Sequence, residues 1–144
     1  EQRGEGRLLA DTRTLKGTVE MFGGAMPGAC LYAPQDYVQN HSAEVQALVN
    51  ALVHALKWLQ TASPTDLARV VPPSYLLGDR ARYMAAFYKV RETLSPDGLM
   101  PEDGPVTAIR AVARLQPESA AARVALDKTF SNDWVRKAKQ KFQL

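Results

Sequence analysis

The stretch "FGGAMPGACLYAP", Phe22 to Pro34, decides how the rest of the chain is read. It is entered through paired glycines, interrupted by Pro27 and closed by Pro34. Its apolar middle, Ala29 to Ala33, fits a short buried strand between a glycine and a proline. A strand alone does not explain why so many backbone-special residues crowd one side. Either a tight loop feeds a core strand here, or the chain crosses between two bodies and lines a site.

Upstream, Leu8 to Ala10 is the other convincing strand candidate, bounded by charged and turn-forming residues. Downstream of Pro34 the pattern turns helical. Val45, Leu48, Val49, Leu52, Leu56 and Leu59 recur at helical spacing, with Glu44, Gln46, Asn50, His54, Lys57 and Gln60 on the other side. Asn40 or Ser42 is placed to cap that helix. "SPTD" starts a second helix, with Ser63 as N-cap, Pro64 in the first turn and Asp66 complementing the dipole. Pro72 and Pro73 stop it. Asp79 opens a third, whose apolar face includes Met84, Phe87, Tyr88, Val90 and Leu94.

The turn-rich "SPDGLMPEDGP", Ser95 to Pro105, precedes a fourth helix marked by Val106, Ile109, Val112 and Ala113. After an alanine-rich connection, Ser131 or Asn132 caps a last helix carrying Trp134 and Val135. The spacing predicts helices over 41–61, 64–71, 79–94, 104–115 and 132–142, with strand only before Pro34. Trp58 and Tyr83 fit core or boundary positions.

The chain has 144 residues, 46% of them hydrophobic, enough for a proper core. Its net charge of +3 comes from 18 basic residues interleaved with 15 acidic ones, so charge alone does not imply nucleic acid. A single cysteine, Cys30, excludes an internal disulfide and a cysteine-based metal site. No apolar stretch is long enough to span a bilayer. The opening "EQRGEGRLLADTRT" has neither an initiator Met nor an apolar signal core, and is expected to continue a longer protein.

Chemistry-bearing sets are sparse. His41 and His54 have no Cys, Asp or Glu at ligand spacing, so a zinc reading fails on ligand count. Glu102 and Asp103 precede a helix, where helix-start electrostatics explains them better than acid/base work. Arg136, Lys137, Lys139 and Lys141, with Trp134 and Phe142 nearby, form a basic patch that could meet phosphate. Cations in the last turns of a helix are also what its macrodipole favours. "GGAMPG" lacks both the lysine and the following helix of a phosphate loop.

The order of "GRLLADTRT", "FGGAMPGACLYAPQDYVQN", "VQALVNALVHALKWLQ", "LSPDGLMPEDG" and "VALDKTFSNDWVRKA" resembles the C-terminal part of a bacterial ABC-transporter substrate-binding protein of the nitrate/sulfonate/taurine (NitT/TauT) type. The resemblance runs from about Gly6 to Phe142. One departure is His41, where that family usually has proline after the asparagine.

The resemblance implies an α/β periplasmic-binding-protein-like type II fold, of which this chain supplies a mainly helical piece with one or two short strands near its N-terminus. Residues 1–34 would be the returning crossover and strand beside an interlobe cleft, and 35–144 the helical C-terminal part of the first lobe. It also implies non-catalytic capture of a small, often anionic solute, with no cofactor or metal. Delivery to a membrane permease would take place in the periplasm or from a lipid anchor at the cell surface.

Gly23, Gly24, Met26, Pro27 and Tyr32 are then the expected ligand-binding residues, with the first four on an exposed concave edge. A bulky residue at Gly24 would weaken binding more than stability. The implied partners are the solute, the permease and the N-terminal remainder of the same protein. Apolar faces around Leu48, Leu52, Met84 and Phe87 predict self-association of the isolated chain. Two alternatives stand beside this reading. One is a thiamine-pyrimidine-synthase-like enzyme of the same fold, weakened by the isolation of Cys30 and the absence of a matching histidine motif. The other is a free-standing helical interaction module.

Overall fold

A computed structural model describes residues 6–76, 78–117 and 124–143. The helices are α1 (Leu15–Phe22), α2 (Gln35–Asn40), α3 (Ser42–Thr61), α4 (Pro64–Val70), α5 (Arg80–Val90), α6 (Gly104–Leu115) and α7 (Asp133–Phe142). Short 3-10 turns cover Pro73–Leu76, Arg91–Thr93 and Leu126–Lys128.

No strand occurs among the described residues, which overturns the expected α/β periplasmic-binding-protein-like fold and its N-terminal strands. Leu8–Ala10 and Ala29–Ala33 are both exposed and irregular. A strand exists only as a partner in a ladder, and apolar composition does not supply the partner. The first run is also ended by Asp11, whose carboxylate accepts from the Arg13 backbone N–H at 2.9 Å and from its guanidinium at 2.6 and 2.8 Å. That local turn closes before any ladder begins.

Most of the predicted helices are present. Ser63 and Asp66 form a reciprocal capping box at the start of α4, and the Asp79 side chain accepts from the Arg82 backbone N–H at 2.9 Å to start α5. The third predicted helix is cut at Val90, after which the chain tightens into 3-10 geometry through Thr93. At the α2–α3 junction neither Asn40 nor Ser42 is a cap. Asn40 closes α2, Ser42 opens α3, and His41 sits between them at φ −124°, ψ 38° with no side-chain capping bond. Before α7 it is Ser131, through Oγ, that accepts from Asp133 N–H at 3.2 Å. The alanine-rich connection falls largely on residues outside those described.

α1 was not expected. Gly17, Thr18 and Val19 are weak helix formers, yet the Thr14 hydroxyl accepts from Gly17 N–H at 3.0 Å, and Gly23, at φ 77°, ends the helix by donating to the Val19 carbonyl.

The chain divides into two compact units, Glu1–Ala29 with Met100–Phe130, and Cys30–Leu99 with Ser131–Leu144. In the second unit α3 packs on α7 around Val53, Val135 and Ala138, with Val49 and Leu99 against them. Gln46 Nε2 donates to the Trp134 carbonyl at 2.9 Å, and Lys139 pairs with Asp97 at 2.7 Å, so polar bonds tie α7 at two points. Arg91 donates to the Ala62 carbonyl while lying over the Phe87 and Tyr88 rings. Leu67 of α4 is fully buried, and Trp58 and Tyr83 are half-buried.

Candidate functional site

The first unit places most of the expected site residues around the start of α6. α1 ends at Gly23, and the next residues turn against Asp103 and Thr107. Ala25 N–H donates to Asp103 Oδ2 at 2.9 Å. Gly24 is buried here, not on an exposed edge. A Cβ on it would lie 2.4 Å from Thr107 Oγ1 and 2.7 Å from Asp103 Oδ2, so only glycine fits without a shift. Thr107 is itself 1% exposed. Pro27 approaches the Gly104 backbone: its Cδ is 3.4 Å from where a Gly104 Cβ would be.

Gly23 remains exposed, and Met26 and Pro27 are half-buried. Beside Gly23 lies Arg110, whose Nη1 is 3.0 Å from the position of a Gly23 Cβ. Arg110 is exposed and has no carboxylate partner among the described residues. Asp103, Thr107 and Arg110 are spaced i, i+4, i+7, so α6 presents all of them along one stripe. Sequence reasoning missed Arg110, and it placed Asp103 at the helix start without its bond to the crossing backbone. Asp103 stands at the N-cap of α6 but makes no side-chain capping bond, and binds the crossing backbone instead. The i, i+4, i+7 spacing of Asp103, Thr107 and Arg110 was the available signal.

Tyr32 is 88% exposed and belongs to the second unit, so it is not among the residues gathered at α6. An open depression of about 380 Å³ lies along α1, lined by residues that include Leu9, Asp11, Lys16 and Met21, and none of the expected site residues lines it.

The cations of α7 find partners within the helix and its surroundings. Arg136 pairs with Asp133 at 2.9 Å, Lys139 with Asp97, and Lys137 and Lys141 lie over the Trp134 and Phe142 rings. His54 stacks on Phe142. Contrary to the expectation that neither histidine has an acidic residue at close spacing, His41 stacks on Tyr37 and places Nδ1 3.3 Å from Glu44, three residues on, which also accepts from Tyr37 Oη at 2.8 Å. The Tyr37 hydrogen bond, followed by that of His41, holds the Glu44 carboxyl below its ordinary range, and the same carboxylate pushes the Tyr37 hydroxyl up. No group of three or more metal-ligating side chains occurs among the described residues. Cys30 is an exposed free thiol.

No family model and no curated protein matches the chain. A solved structure of a protein from Bordetella bronchiseptica RB50 is similar to it at a TM-score of 0.93 and 48% identity over 99% of this chain. The chain spans 45% of that protein's length. Among the described residues, no helix is long and apolar enough to cross a membrane.

Proposed function

We propose that the chain is the C-terminal part of the solute-binding component of an ABC uptake transporter, which captures a small anionic organic or inorganic solute and passes it to a membrane permease. The observation that carries this reading is the pairing of Arg110 with Gly23. An exposed guanidinium without a carboxylate partner among the described residues stands beside an exposed glycine, on a segment whose next residues are pinned by Asp103 and packed on Thr107. Arginine binds planar oxyanions through paired N–H donors, and glycine lets backbone come close to a ligand. A segment already held in place loses little further entropy on binding.

The ordered stretches that resemble the nitrate/sulfonate/taurine family point the same way, although the strands that this resemblance implied are absent among the described residues. The likeness to less than half of a longer solved protein fits a piece that contributes one wall of a site. The opposite wall, and with it most of the choice of solute, belongs to the N-terminal remainder. Capture takes place in the periplasm or from a lipid anchor at the cell surface.

A thermal-shift screen of the complete protein against nitrate, sulfate, taurine and simple alkylsulfonates tests the proposal. At a hundredfold excess over Kd a bound solute adds about 2.7 kcal/mol of stability, so at least one anion is expected to raise Tm in a concentration-dependent way. A panel in which none does so refutes it.

A further inference from the structure

We infer that the outward face of α7, carried by Lys137 and Lys141 with Arg136 beside them, docks an acidic helix of a partner protein, one that presents carboxylates four residues apart. α7 holds four cations against a single acid, Asp133. Lys139 is taken by Asp97 at 2.7 Å, with both side chains largely sheltered. Arg136 is paired with Asp133, but both are well exposed and water competes for the bond. Lys137 and Lys141 are exposed and meet no carboxylate among the described residues. They stand one turn apart on the same face, where like charges repel. The helix dipole favours cations in the last turn, which accounts for Lys141 and leaves Lys137 without that compensation.

Both ammoniums are nevertheless held in place. Lys137 lies 5.2 Å from the centre of the Trp134 ring, and Lys141 5.8 Å from that of Phe142. The ring-bearing residues are tied to α3 in turn, because the Trp134 carbonyl accepts from Gln46 and Phe142 stacks on His54 at 5.3 Å. An aromatic face orients an ammonium without cancelling its charge. Cations that are already oriented lose little freedom when they meet an anion. Their number selects the occupant. Anionic lipid surfaces recruit clusters of about 4–8 basic residues, and a nucleic-acid site of about 6–10 phosphate contacts needs as many cations. Two lysines about 5–6 Å apart at Cβ match two carboxylates at the same spacing on another helix. This surface is independent of solute capture.

Fluorescence anisotropy tests it, with a dye-labelled, alanine-based helical peptide that carries glutamates four residues apart, titrated with the complete protein at low salt. The same peptide with glutamine in place of glutamate is the neutral control. The glutamate peptide is expected to bind and the glutamine peptide not to. Lys137→Gln with Lys141→Gln should weaken binding by about tenfold, the change that two exposed ion pairs can supply. Lys16→Gln with Lys89→Gln, two exposed lysines elsewhere, should leave it unchanged. Failure of the glutamate peptide to bind, or equal binding by the Lys137 and Lys141 double variant, overturns the inference. So does tighter binding to vesicles of phosphatidylglycerol and phosphatidylcholine in equal parts that is lost in the same double variant, which assigns the face to a lipid surface.

Discussion

Replacing Gly24 with alanine adds one methyl group at the most crowded point of the crossing segment. That Cβ would lie 2.4 Å from Thr107 Oγ1 and 2.7 Å from Asp103 Oδ2. Thr107 is buried in α6 and has nowhere to move. Asp103 can swing away, but only by releasing the Ala25 N–H. Overpacking of this kind costs about 1–3 kcal/mol, and loss of the partly solvated hydrogen bond adds about 1 kcal/mol, for a total of about 2–4 kcal/mol. Gly28, a few residues on, is the internal control. A Cβ there meets nothing within 4 Å, so Gly28→Ala should be neutral or stabilise by up to about 1 kcal/mol through the unfolded chain.

Both tryptophans, Trp58 and Trp134, lie in the second unit, so their fluorescence reports that unit, while far-UV circular dichroism follows helices of both. In urea, with a slope of about 1 kcal/mol per molar, the dichroism midpoint of the first unit should fall by about 2 M or more in Gly24→Ala relative to Gly28→Ala. The tryptophan midpoint should not follow it. Coincident dichroism curves for the two variants refute the steric reasoning. The crowding at Gly24 adds a stability cost to any substitution there, which the reading from sequence did not include.

In the second unit, Leu67→Ala should cost about 2–5 kcal/mol, read from the tryptophan midpoint, because Leu67 is fully buried. Burial pushes the Asp97 carboxyl up, but the Lys139 ammonium and the Leu99 N–H outweigh it and hold the carboxyl below its ordinary value. Its contribution to stability is therefore complete above about pH 4 and lost as pH falls through the lowered value. Asp97→Asn should cost about 1 kcal/mol at neutral pH and flatten that acid limb in urea titrations from neutral to acid pH. Leu48 and Leu52 are half exposed on α3, so the 144-residue chain should sediment with a concentration-dependent mass. A concentration-independent monomer would count against that face as an association surface.

The helices from α3 onward were readable because local signals agreed with the fold. Ser63, Pro64 and Asp66 announce α4 by capping chemistry, and Val106, Ile109 and Val112 mark α6 by spacing. α1 was hidden because Gly17 and the β-branched Thr18 and Val19 suppress the pattern, and its cap at Thr14 is a single hydroxyl. Leu8–Ala10 and Ala29–Ala33 carry strand composition without a ladder partner, and pairing is a non-local fact that composition does not encode. At the candidate site the glycines were visible, while the role of each could be read only in three dimensions. Gly24 is a packing requirement, Asp103 is a backbone anchor, and Arg110 hides in the polar stripe of an amphipathic helix.

The most direct measurement is a calorimetric titration of the complete protein, its Arg110→Ala variant and its Arg110→Lys variant with an anion that shifts Tm. Loss of a charge-assisted hydrogen bond is worth about 1.5–3 kcal/mol, so Arg110→Ala should weaken binding by about 10- to 100-fold. Arg110→Lys should recover part of that loss, since lysine restores the charge without the bidentate fork. Unliganded thermal stability should stay unchanged in both variants, because Arg110 is exposed. An affinity that survives Arg110→Ala intact would contradict solute capture at this edge.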